Sequence, residues 1–204
     1  MPILNTVQLF ISRNLWLNRR VWGALIAMLY AANSHAQAIT TISNSSDARD
    51  CYLAAASAAA KFSANQENLA TCTRALDHEI LTRTDKARTL INRGIVLTAL
   101  EKYQDALADY NAASVLEPDM PEAFISRGNL WYLAEKYQRA ADEYSKSMKM
   151  DFSRMHIAFY NRGISNEKLG NKDAAIADIK EALKLQPDFK QARDRLEFLS
   201  KPAK

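Results

Sequence analysis

The sequence predicts an all-α chain, a solenoid of stacked antiparallel helix pairs, and two observations carry that reading. Gly94, Gly128 and Gly163 stand 34 and then 35 residues apart, each directly after an arginine. The residues around them recur in register. The first copy reads Leu90, Arg93, Gly94, Leu97, Ala106, Tyr110, Ala113 and Pro118; the second reads Phe124, Arg127, Gly128, Trp131, Ala140, Tyr144 and Ser147, with Phe152 in the proline's place. The third reads Phe159, Arg162, Gly163, Asn166, Ala175, Ile179, Ala182 and Pro187. A period of about 34 residues is the length of a helix-turn-helix unit that cannot bury its own apolar face and stacks on copies of itself.

This pattern resembles the tetratricopeptide repeat, whose motif sets a large apolar residue, a glycine, an aromatic, an alanine, a second aromatic and a proline at these intervals. The resemblance covers about half the chain, as repeats at 87–120, 121–154 and 155–189, and implies a right-handed superhelix. Each motif residue has a packing reason. Glycine and alanine let two helices approach closely, while Leu90, Phe124, Phe159, Tyr110 and Tyr144 fill the space beside the contact. Pro118 and Pro187 end the second helices, because the ring removes a donor and disfavours helix in the residue before it. The third copy departs from the pattern at Asn166 and has Gly170 soon after, so looser packing is expected there.

Ahead of the repeats, residues 1–36 contain no acid, carry Arg13, Arg19 and Arg20, and run into an apolar stretch from Val21 to Ala32 followed by Ser34-His35-Ala36. A basic leader, a short apolar run and small residues two apart make a secretory signal peptide, cleaved after Ala36 or Ala38. An uncleaved anchor would need about 20 apolar residues. Removing the leader takes away three of the 27 basic residues and none of the 23 acidic ones, leaving 24 against 23, or +1. A nearly neutral mature chain gives no electrostatic case for nucleic acid or anionic lipid. Residues 37–46 read as a flexible linker.

The chain's two cysteines, Cys51 and Cys72, both lie beyond the leader. In an oxidising compartment an even count is most simply one disulfide, with two buried thiols or a redox pair as the alternatives. Asp47 to Ala60 is alanine-rich and helix-favouring, and Ser63-Ala64-Asn65-Gln66 has the form of a capping box opening a second helix that runs to about Leu81. If the two are antiparallel about a turn near Lys61 and Phe62, the cysteines meet at similar height. Residues 47–86 then form a disulfide-tied hairpin, a degenerate repeat covering one end of the stack. At the other end, residues 190–204 form a capping helix and tail, with Phe189, Ala192, Leu196 and Leu199 on its apolar face.

Arg93, Arg127 and Arg162 are each followed sixteen residues later by an acid, Asp109, Glu143 and Asp178. Salt bridges across or between repeats are expected, worth about 0 to 1 kcal/mol each if exposed; the functional reading would make the arginines anion ligands.

In the family that the motif resembles, first helices line a groove for a peptide. The resemblance therefore implies groove residues Asn92, Ile95 and Thr98 in the first copy. It adds Ile125, Asn129 and Tyr132 in the second, and Tyr160, Asn161 and Ile164 in the third. Asparagine amides suit a peptide backbone, and the tyrosines and isoleucines suit its side chains. The family's lysine-rich carboxylate clamp is not reproduced, since Ile91, Ile95, Ser126, Ile157 and Asn161 stand at its places.

Catalysis finds no motif, and no cofactor or metal is expected: His78 and His156 lack metal-ligand spacing with a cysteine or another histidine. The reading is an exported interaction module, a small periplasmic adaptor or scaffold binding a peptide segment of a partner. A self-assembling structural unit of the cell envelope is the competing reading, and an enzyme the third.

Overall fold

The computed structural model describes residues 46–61, 63–150 and 152–201. The predicted signal peptide and its cleavage point lie outside these residues, as does the linker except Ser46, which already begins a helix. Among the described residues are nine helices and no strand. They fall into two compact units, one ending at Asp119 and the other beginning at Met120. The chain is thus an all-α helical repeat protein.

In the first unit, α1 (Ser46–Lys61) and α2 (Gln66–His78) form a hairpin on α3 (Arg83–Ala99), which pairs with α4 (Tyr103–Leu116). Cys51 and Cys72 are disulfide-bonded, with Cα atoms 4.6 Å apart and both residues fully buried beside Ala55, Ala58 and Val96. The ends of this hairpin differ from the sequence reading. Asn65, not Ser63, caps α2: its side chain accepts from the Asn68 N–H while the Asn68 side chain accepts from the Asn65 N–H, so two orphan donors are met reciprocally. Helix α2 stops at His78, short of Leu81, because Glu79 leaves the helical conformation. The Glu79 carboxylate then accepts from the backbone N–H groups of Asp47 and Ala48, at 3.1 and 3.3 Å, and so caps the other helix of the hairpin.

Helix α3 opens at Arg83. Thr82 is its cap, accepting from the Asp85 N–H and donating to the Asp85 carboxylate at 2.7 Å. Opening the disulfide frees a 21-residue separation in the unfolded chain, so Cys72→Ser is expected to cost about 3 kcal/mol in urea unfolding. Two free thiols in unreduced protein, read by mass spectrometry, would remove the bond and the expectation together.

The second unit holds α5 (Pro121–Leu133), α6 (Tyr137–Ser147), α7 (Met155–Lys168), α8 (Lys172–Leu185) and α9 (Lys190–Ser200). Pro121 sits in the first turn of α5, where its missing N–H costs nothing. Pro118 and Pro187 follow the C-caps Glu117 and Gln186. Helix α9 packs on α8, with Ala192 and Leu199 buried and Leu196 half-buried, while Phe189 stands just before the helix against Tyr160 and His156. No described helix is long and apolar enough to cross a membrane.

Within each repeat the two helices are joined by the same turn. Glu101, Glu135 and Gly170 occupy equivalent places with φ of 62°, 56° and 82°. Each donates its N–H to the carbonyl three residues back, and the next residue donates to the carbonyl five back, closing a left-handed cap. Gly170 is therefore the fitting residue at this place, not a mark of looseness; the two glutamates carry the strain there.

Candidate functional site

Each motif glycine lies under one side chain of the paired helix. A Cβ on Gly94 would stand 2.4 Å from the Tyr110 ring and one on Gly128 2.6 Å from the Tyr144 ring, whereas at Gly163 the nearest atom is Ile179 Cγ1 at 3.0 Å. Both tyrosines are fully buried and held by their hydroxyls. Tyr110 shares a hydrogen bond with Thr98, and Tyr144 donates to Asn129 Oδ1 at 2.8 Å.

The arginine–acid pairs run across each repeat. Arg93 Nε and Nη2 each lie 2.8 Å from the Asp109 carboxylate, and Arg162 grips Asp178 in the same two-pronged way at 3.0 and 2.6 Å. Arg127 reaches Glu143 Oε2 through Nε at 2.8 Å and Nη2 at 2.6 Å, and Lys146 takes Oε1 at 2.7 Å. Arg127 and Arg162 also lie over the rings of Phe124 and Phe159. The acids are only 6–7% exposed. This corrects the expectation of exposed, weak pairs: the acids belong to the packing of the hairpin, and leaving one buried without its arginine is costly.

The residues assigned to a groove are mostly spent inside the units. Ile95 packs against the disulfide cluster, and Thr98 turns to Gly94 and Tyr110. Asn92 is 9% exposed and Ile164 5%. Asn161 is fully buried and donates to Asn129 Oδ1 at 3.0 Å, so the two amides expected to meet a peptide backbone bond to each other instead. The physical reason is stacking: a first helix is covered by its own partner and by the neighbouring repeat, which leaves little of its circumference open.

Three assigned residues keep a different character. Ile125 is half-buried, while the rings of Tyr132 and Tyr160 are 3% exposed yet neither hydroxyl has a hydrogen-bond partner among the described residues. Tyr132 packs edge-on to Tyr137, and Tyr160 packs against Phe189. Burial raises both phenol pKa values, that of Tyr160 to about 12, so both hydroxyls are protonated donors at neutral pH. Each also feels Arg195 and Glu167, which are joined by hydrogen bonds of 2.6 and 2.7 Å between α9 and α7. Sequence reasoning missed Arg195 and Glu167 because they sit at no motif position.

Burial first, and the Arg154 cation second, hold the His156 pKa below its ordinary value, so at neutral pH the ring is an uncharged neighbour of Phe189. Among the described residues no group of His, Cys, Asp and Glu is placed to hold a metal ion.

Comparison with known proteins agrees with this architecture. Tetratricopeptide repeat family models match residues 91–151 and 156–189. The fold is similar to that of the Arabidopsis OM64 TPR domain, at 22% identity and a TM-score of 0.55, over 60% of this chain and all of that one. It is similar also to the second TPR domain of human RPAP3, solved in complex with the HSP70 peptide SGPTIEEVD, at 24% identity and 0.55, over 59% of this chain and all of that one. MamA is similar at 17% identity and 0.56, over 71% of this chain and 81% of that one. With repeats of both units matched and the helix pairs built on the motif residues, the chain carries tetratricopeptide repeats over residues 91–151 and 156–189.

Proposed function

We propose that the chain is an exported protein–protein interaction module, a small periplasmic adaptor that holds a peptide segment of a partner against the first helices of its repeats. The observation that carries the reading is the pair of tyrosine hydroxyls: Tyr132 on α5 and Tyr160 on α7 bury their rings but leave two donors without an acceptor among the described residues. Neither hydroxyl oxygen is among the buried unpaired atoms, so both donors open to solvent beside an apolar ring, and a peptide carbonyl is an acceptor that such a surface can take in place of water. The peptide seen on the RPAP3 domain supports the same use of the fold. Export is supported by the basic–apolar leader in the sequence and by the disulfide, since such bonds persist in oxidising compartments.

A photoreactive residue in place of Ile125 is expected to capture one partner segment, identified by mass spectrometry. Tyr132→Phe with Tyr160→Phe removes two hydroxyls and no ring, so affinity for that segment is expected to fall about tenfold with the melting temperature unchanged. Full affinity in the double variant would overturn the role of the hydroxyls. Periplasmic fractionation that leaves the protein in the cytoplasm with its leader intact would overturn export.

A further inference from the structure

The second and third repeats differ at two positions that meet across the hairpin. In the second, Trp131 is 9% exposed and the Arg139 guanidinium lies 4.9 Å over its ring. In the third, the equivalent positions hold Asn166 and Ala174. The bulk that is lost opens a cleft of about 380 Å³ among α6, α7 and α8, with Ala141, Ala174 and Ala177 in its lining.

The Arg162–Asp178 pair lines the same cleft and is tied to its neighbours. Arg162 gives Nε and Nη2 to Asp178 and Nη1 to Ser145, while Asp178 Oδ2 also accepts from Asn166 Nδ2 at 3.0 Å. That pair is neutral, and three of the five Arg162 N–H groups are spent on Asp178 and Ser145. Three acceptors stand beside it. Asn166 keeps Oδ1, and Gln138, whose amide donates to Asp142 Oδ1 at 3.0 Å, keeps its own oxygen. Asp142 keeps Oδ2 and takes part in no ion pair among the described residues, so the cleft holds one uncompensated negative charge.

Acceptors arranged around a single negative charge complement a cation with several donors. A guanidinium fits better than an ammonium, because its planar fork serves several acceptors at once and it is the more weakly hydrated of the two. The alanines suit the methylene stem behind it. We propose that this cleft is a binding site for a guanidinium group, carried by an arginine side chain of a protein or by a free arginine-like molecule.

Titration of the labelled mature protein with Nα-acetyl-arginine amide is expected to shift the side-chain amide resonances of Gln138 and Asn166. The citrulline analogue, of the same shape without the charge, is expected not to. Asp142→Asn should weaken binding up to about fivefold, as loss of one exposed charge partner does. Asn166→Trp combined with Ala174→Arg rebuilds the pair of the second repeat, and should abolish binding with helical circular dichroism unchanged. Comparison with a Gly-Arg-Gly peptide distinguishes the sources: tighter peptide binding marks a protein-borne arginine, and equal or weaker peptide binding a free molecule. Absence of shifts with both guanidinium probes, equal binding of the citrulline analogue, or binding that survives the refilled cleft would overturn the proposal. Ile125 does not line this cleft, so failure of capture there and failure of the cleft are separable.

Discussion

Arg127→Ala is expected to lower unfolding free energy by about 3 kcal/mol, several times what a surface ion pair supplies. The Arg127 side chain is 13% exposed and that of Glu143 9%, and deleting the guanidinium leaves the carboxylate in the hairpin with only Lys146 to compensate it. The loss also removes the cation above Phe124. Replacing both members with methionine should restore most of the stability, because the cost lies in the orphaned charge and not in the absence of the pair. Urea unfolding of Arg127→Met, Glu143→Met and the double variant forms the cycle that measures this. A loss below about 1 kcal/mol for Arg127→Ala would place the pair among surface ion pairs and sink the prediction.

Gly128→Ala is expected to cost about 2 kcal/mol or more, although alanine is ordinarily the better helix former by about 1 kcal/mol. The added methyl would meet the Tyr144 ring at 2.6 Å, and that ring cannot yield: it is fully buried and its hydroxyl is tied to Asn129. Gly94→Ala meets Tyr110 at 2.4 Å and should behave alike. Gly163→Ala is the control. Its nearest contacts are 3.0 to 3.2 Å and the first is an isoleucine methylene, so the propensity gain and the crowding should nearly cancel. Thermal melts in which all three substitutions behave identically would contradict the assignment of tyrosine as the obstacle.

Much of the architecture was legible because it is written periodically. The glycine spacing located the three hairpins, the cysteines located the hairpin ahead of them, and the arginine–acid spacing of sixteen named pairs that meet across each repeat. The candidate site was less legible. Asn129 and Asn161 read as groove amides from their register, yet they bond to one another; register gives the side of a helix a residue occupies, not what the next helix lays over it. The Asn65 cap was displaced from the expected Ser63 because either residue type can cap, and only the local backbone chooses between them.

The sequence by itself determined that this chain is a helical repeat, where its hairpins lie and which residues must be small between them, since close helix packing leaves a periodic trace in residue size. Only the tertiary structure decided which polar groups are consumed and which remain open. Glu79 caps a helix 31 residues away, Tyr132 and Tyr160 hide their rings and not their donors, and Asn166 with Ala174 leaves a space that Trp131 and Arg139 fill one repeat earlier. Those outcomes depend on distances between residues far apart in the chain, which no local pattern encodes.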